Sequence, residues 1–166
     1  DSFQRLYDDG FKYKLIVFGS GAEKENVESI IRSRKDIETI EFKGELSPLE
    51  IPKAFSEIDV IINPRLKNRL TDSVTPFKPL EAMAYEKLFI GSNVGGILEL
   101  IEDGYNGFLF DAGDFNSLKN TLIKVLNIED SQKHILIKQS LNFIKTNKSW
   151  SKNTNRYIKE YEKLIN

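Results

Sequence analysis

The side chains able to do chemistry in this 166-residue chain are few, because it has no cysteine and a single histidine. That composition removes thiol nucleophiles, iron-sulfur clusters, disulfides and every cysteine-based zinc site. His134 stands among Ile135, Leu136 and Ile137 in a helical pattern. It reads as a surface or packing residue, with no partners for a zinc site or a histidine triad. Carboxylates, lysines and glycine turns remain. The richest stretch is Thr75-Pro76-Phe77-Lys78-Pro79-Leu80-Glu81-Ala82-Met83-Ala84. Thr75 suits an N-cap and Pro76 a first helical position, so the spacing predicts a helix beginning there. Lys78 then falls in the first turn, where the helix dipole disfavours a cation by about 0.3–1 kcal/mol unless an anion such as phosphate is also bound. Glu81 follows one turn later in a sequence apolar enough to bury it, and a buried carboxylate needs partners such as sugar hydroxyls. The alternative is an exposed Lys and Glu on an ordinary amphipathic helix.

The elements that must hold this stretch alternate along the chain. Short apolar runs at residues 15–18, 37–42, 60–62, 88–90 and 108–110 are separated by helical patterns and turn residues, the sequence form of a parallel sheet covered by helices. The fold class is α/β. Gly19-Ser20-Gly21 leaves the first run, but Lys24 occupies the place where a dinucleotide fingerprint needs a small residue, so an NAD site is excluded. A plain strand-to-helix turn and a nucleotide-facing loop both stay open for it. No Gly-Lys-Ser or Gly-Lys-Thr occurs, so there is no P-loop. Residues 65–73 read as a polar loop in which Arg65, Lys67 and Arg69 either supply positive charge or are simply solvated. Gly95-Gly96 reads as a turn into a helix carrying Ile97, Leu98 and Ile101. Three helical patterns close the chain, the last with Tyr157, Ile158, Tyr161, Leu164 and Ile165 on one face.

Lys and Arg number 24 against 25 for Asp and Glu, giving a net charge of -1. No polybasic field exists to hold a nucleic acid, and none is expected as a partner. No apolar run reaches the roughly 20 residues that span a bilayer, and residues 1–10 lack a signal pattern, so a cytoplasmic place is expected. The chain opens without Met, directly in helix-like sequence, and that start reads as a cut.

Downstream of the Leu80-Glu81-Ala82-Met83-Ala84 helix, the segment Ser92-Asn93-Val94-Gly95-Gly96-Ile97-Leu98-Glu99-Leu100-Ile101-Glu102-Asp103-Gly104-Tyr105-Asn106-Gly107-Phe108 completes a recognisable pattern. Together with the Gly-x-Gly turn, the Phe42-Lys43-Gly44-Glu45-Leu46 turn and the Trp150 region, it resembles the C-terminal, nucleotide-sugar-binding domain of GT-B glycosyltransferases of family four. The resemblance covers nearly the whole chain. It implies a Rossmann-like, mainly parallel sheet in a single donor-binding domain over residues 1–166, with C-terminal helices at 131–166.

By that resemblance Glu81 binds the donor ribose, the turn from Gly44 through Leu46 to Ser47 faces the base, and residues 75–78 hold phosphate and sugar. The candidate donor contacts are therefore Glu81, Thr75, Phe77, Lys78, Leu80 and Ser73, with Gly44, Leu46 and Gly19 in the turns; no catalytic residue is assigned. The family's sugar-contacting Glu, aromatic and Gly are replaced here by Ser73, Val74 and Thr75, with Asp72 adjacent as a substitute. Pro76 has no N–H, so backbone phosphate contacts fall to Phe77 or Lys78. The resemblance places the family's diphosphate-clamping Arg and Lys, its first strand and its acceptor-binding N-terminal domain ahead of Asp1. The residues at 15–18 and 60–62 would then border a slot in one mainly parallel sheet, closed by pairing with each other, filled by another chain, self-association included, or left to destabilise the piece.

The implied activity is retaining transfer of a sugar from a nucleotide donor to a glycan or lipid-linked acceptor, without a metal, by an enzyme that is cytoplasmic or peripheral at a membrane. This piece alone is expected to be inactive. A non-catalytic nucleotide-binding module and a purely structural α/β domain are the alternatives.

Overall fold

A computed structural model describes residues 1–165. The elements run α1 (Ser2–Asp8), β1 (Leu15–Phe18), α2 (Lys24–Arg32), a 3-10 turn (Ile37–Thr39), β2 (Ile40–Gly44), α3 (Ile51–Ser56), β3 (Val60–Asn63), α4 (Arg69–Ser73) and α5 (Lys78–Ala84). Then come β4 (Leu88–Ser92), α6 (Gly95–Leu98), β5 (Phe108–Phe110), α7 (Phe115–Leu126), α8 (Asp130–Phe143), a π turn (Ile144–Lys148) and α9 (Trp150–Ile165). The chain packs as two compact units, residues 1–57 with 114–126, and residues 58–113 with the chain from Asn127 onward.

In the first unit β1 and β2 pair in parallel, Leu15 opposite Ile40 and Val17 opposite Phe42, with a register shift before Phe18 meets Gly44. Helix α1 lies on α7, where Leu6, Leu118 and Leu122 are buried and the Ser2 hydroxyl donates to the Phe115 carbonyl at 2.8 Å. A polar knot fixes the connection between α2 and β2 to the segment that leads into β1. Arg34 grips the buried Asp36 carboxylate through Nε at 2.7 Å and a terminal nitrogen at 2.6 Å, and the Tyr13 hydroxyl donates to the same carboxylate. The Asp36 carbonyl accepts from the Thr39 amide at 2.9 Å and hydroxyl at 2.7 Å. Those bonds close the 3-10 turn, so the strand expected from residue 37 starts at Ile40.

In the second unit three parallel strands are ordered β3-β4-β5. Every residue of β4 is buried, as a continuous apolar run flanked on both edges requires. Ala82 and Met83 of α5 and Ile97 of α6 close over Phe89 and Val94 to make the core. The Ser140 hydroxyl of α8 reaches the Asn106 carbonyl at 2.9 Å and fixes the turn before β5.

Three expectations are corrected. The strands form two sheets, one in each unit, and not one: an apolar run reveals a strand but not its neighbour, and the ladders join only β1 to β2 and β3 to β4 to β5. The 65–73 loop contains a helix, α4, because the Asn68 side chain accepts the Thr71 amide at 3.0 Å while the Thr71 hydroxyl accepts the Asn68 amide at 3.0 Å. Helix α5 begins at Lys78 with Phe77 as its cap and Pro79 in the first turn, so Thr75 and Pro76 lie ahead of it. His134 is exposed on α8, its Nδ1 lying 2.7 Å from the Asp130 carbonyl. No helix among the described residues is long and apolar enough to cross a membrane.

Candidate functional site

In the first unit the candidates are turn residues at the carboxyl ends of β1 and β2. The Gly19 amide donates to the Gly44 carbonyl at 2.7 Å and holds the two strand ends together. Gly44 has φ +71°, a left-handed conformation that a side chain would strain. The Ser20 hydroxyl donates to Glu45 Oε2 at 2.8 Å. A cavity of about 340 Å³ opens here, lined by Phe18, Gly19, Ser20, Gly21, Lys24 and Phe42. Leu46 is half-buried, and beyond it Glu50 Oε2 accepts the Ser47 hydroxyl at 2.7 Å and the Ser47 amide at 2.8 Å. Those bonds, the hydroxyl's first, hold the Glu50 carboxyl below its ordinary range. Lys43, bonded to Glu57 at 3.3 Å and near Glu41 at 3.6 Å, is held above the usual lysine range by these carboxylates.

In the second unit the candidates follow the carboxyl end of β3, beside the carboxyl end of β4, where open parallel sheets present ligand sites. The two strand ends are stitched by the Arg65 amide, which donates to the buried Ser92 hydroxyl at 2.9 Å. The Arg65 guanidinium, half-buried, donates to the Val74 carbonyl at 3.0 Å. Its charge is therefore used to hold the loop that precedes α5. Ser73 ends α4, and Ser73, Thr75, Phe77, Lys78 and Glu81 are all exposed, Phe77 by 78%. Leu80 is half-buried and packs on the core with Ala82 and Met83.

Glu81 corrects the sequence reading. Pro79, Ala82 and Met83 take the buried face of α5, and Glu81 lies on the other face of the same short helix, open to solvent. Apolar neighbours in sequence therefore did not enclose it. Thr75, expected as the cap of α5, instead donates its hydroxyl to the Glu99 carboxylate just beyond α6. Asp72, the neighbour of Ser73, accepts the Gly95 amide on its Oδ1 at 2.9 Å.

Sequence reasoning passed over these last two contacts. Their signal was Gly95-Gly96: a Cβ on Gly95 would sit 2.4 Å from the Asp72 carbonyl oxygen, and one on Gly96 2.1 Å from that of Val74. Paired glycines after a strand mark a place where another backbone passes. Among the described residues no group of three His, Asp or Glu side chains is placed to hold a metal ion.

The fold has relatives. An uncharacterized glycosyltransferase of Methanocaldococcus jannaschii is 29% identical over 156 residues, 93% of this chain and 38% of its own length. Sucrose-phosphate synthase from Thermosynechococcus elongatus has the same fold at TM-score 0.81 and 19% identity, over 99% of this chain and 41% of that one. Anabaena HepE, solved with UDP-glucose, matches at TM-score 0.69 and 20% identity over 90% of this chain and 41% of its own. This chain thus spans about two fifths of the length of these relatives. The family model described as glycosyl transferases group 1 matches residues 1–150, and the chain belongs to that family.

Proposed function

We propose that this chain is the donor-binding part of a nucleotide-sugar-dependent glycosyltransferase that moves a sugar, with retention and without a metal, to a glycan or lipid-linked acceptor. The observation that carries the reading is the family match over residues 1–150. It is supported by the placement of the second unit's candidates at the carboxyl ends of β3 and β4, and by a neighbour of like fold whose structure holds UDP-glucose.

In the second unit Glu81, already open to solvent, accepts the ribose hydroxyls. The amides of Phe77 and Lys78 and the Lys78 ammonium meet the diphosphate, and Thr75, Ser73 and Leu80 line the sugar end. Charge developing on the leaving diphosphate is stabilised by these donors, an electrostatic role that needs no histidine or thiol. In the first unit Gly44 and Leu46 offer backbone to the base, and Gly19 allows close approach of a phosphate. The acceptor is bound by the part of the relatives' length that this chain does not span, and the chain alone is inactive. The enzyme works in the cytoplasm or at the surface of a membrane.

Calorimetry of the chain with UDP, GDP and ADP tests the reading. Saturable binding of one of them is expected, and no binding by any would overturn it. A non-catalytic nucleotide-binding module is favoured by one observation, that Ser73 offers no carboxylate while that of Asp72 accepts the Gly95 amide. Hydrolysis of a nucleotide sugar by the full-length protein, with the anomer of the released sugar read by NMR, separates the two.

A further inference from the structure

The segment that leads from α4 into α5 is short, exposed along much of its length and made of residues that the proposed function places against the donor. Four fastenings within the second unit hold it. Asp72 Oδ1 accepts the Gly95 amide, the Arg65 guanidinium donates to the Val74 carbonyl, and the Thr75 hydroxyl donates to the Glu99 carboxylate. The fourth is steric: the backbone at 72–74 passes so close to Gly95 and Gly96 that neither has room for a Cβ. Three of these fastenings involve the Gly95-Gly96 turn or Glu99 next to α6, and α6 is set by the core through the fully buried Val94 and Ile97.

Glu99 differs from the other groups. It lies on the exposed side of its turn, its carboxylate has one hydrogen bond among the described residues, and that bond leads to Thr75, directly ahead of Pro76, Phe77 and Lys78. A carboxylate that only improved solubility would have no need to face this hydroxyl across a sequence distance of 24 residues. We propose that Glu99 is a positioning residue: it fixes the Thr75 hydroxyl and so sets the backbone from 75 to 78 in the arrangement that receives the donor phosphates. Asp72 belongs to the same device through the Gly95 amide, so its carboxylate serves the loop and not the sugar. The inference rests on the donor-binding reading given above.

The test compares Glu99→Ala, Glu99→Gln, Thr75→Val and the double variant Thr75→Val with Glu99→Ala. It is made in the full-length enzyme, on affinity for the nucleoside diphosphate that the unaltered protein binds and on donor KM against kcat. A hydrogen bond to a charged group predicts about a tenfold loss of affinity in Glu99→Ala, appearing in KM more than in kcat. Glu99→Gln keeps an acceptor for the hydroxyl and recovers most of the loss. The Thr75→Val and Glu99→Ala losses are not additive, because both remove one interaction. Unchanged affinity in Glu99→Ala, or losses that add in the double variant, would overturn the proposal.

Amide hydrogen exchange separates this from failure of the donor reading. If the unaltered protein binds no nucleoside diphosphate, that reading fails, and the latch is judged by exchange at residues 75, 77 and 78. Faster exchange there in Glu99→Ala, with the melting temperature unchanged, supports the latch, and unchanged exchange removes it.

Discussion

Glu81 stands on the solvent face of α5 with no core contact to lose. Its replacement by Ala should therefore leave folding stability within about 0.5 kcal/mol. On the proposed ribose-binding role, affinity for the nucleoside diphosphate should fall by about 1.5–3 kcal/mol, the worth of hydrogen bonds to a charged partner. Calorimetry with the nucleoside diphosphate and a thermal melt of the same variant check both halves, and unaltered affinity removes the ribose role. The position of Glu81 was legible in the sequence, whereas its exposure was not, because the side of a short helix that faces the core depends on which neighbours arrive there. The Tyr13–Asp36–Arg34 knot was not legible at all: Tyr13 and Asp36 are joined by folding and not by any local spacing. Its titration can be foretold. Burial and then the hydrogen bond to Asp36 push the Tyr13 phenol from 10.0 up to about 12. Since the folded value is raised, this stabilisation is fully present below pH 10.0 and is lost as pH climbs toward about 12. For Asp36, burial opposes ionisation, but the Arg34 hydrogen bonds and then that of Tyr13 outweigh it and hold the carboxyl below its ordinary range. That contribution is present above about pH 4 and fades as pH falls through the folded value. Phenolate absorbance should show one of the six tyrosines titrating near 12, and Tyr13→Phe should remove that component.

At the scale of elements, short apolar runs announced β1, β3, β4 and β5, whereas β2 alternates apolar and charged residues and its first three expected positions, 37–39, form the 3-10 turn. Helix α4 was hidden by its length, although the Asn68-x-x-Thr71 capping box that starts it was present in the sequence. The approach of α4 and the following loop to α6 is the element-level fact with the sharpest consequence. Gly96→Ala would drive a Cβ to 2.1 Å from the Val74 carbonyl oxygen, so backbone must move. Overpacking of this kind costs about 1–3 kcal/mol. In a chain of this size that amounts to a melting temperature lower by roughly 2–12 °C. Gly104 provides the contrast: a Cβ there meets nothing within 4 Å, and the penalty is confined to its left-handed φ of +74°. Gly104→Ala should therefore cost about 1 kcal/mol. Differential scanning calorimetry of the two variants should rank Gly96→Ala as the more damaging, and the reverse order would mean that the close passage of 72–74 is not a constraint.

Among the described residues there are two short parallel sheets, and each ends in a strand with a ladder partner on one side only: β1 pairs with β2 and β3 with β4. An edge strand presents a row of backbone donors and acceptors to any other strand. The residues of β1 are all part-exposed, and three of the four in β3 are, so neither edge is hidden in a core. Helix α9 adds a second sticky surface, since it buries no residue and shows Trp150, Tyr157, Tyr161 and Leu164 to solvent. Periodicity foretold that face, and what covers it lay beyond the reach of a helical pattern. We expect the 166-residue chain to self-associate as its concentration rises, through strand edges more than through α9. Sedimentation velocity across a concentration series would show the association. Amide exchange would place it, slowing at residues 15–18 and 60–63 in the concentrated sample. A variant with Trp150, Tyr157, Tyr161 and Leu164 all changed to Ser should still associate, because the edges are untouched. Loss of association in that variant would assign it to α9, and a monomer at every concentration would mean that both edges are protected by the packing of this chain alone.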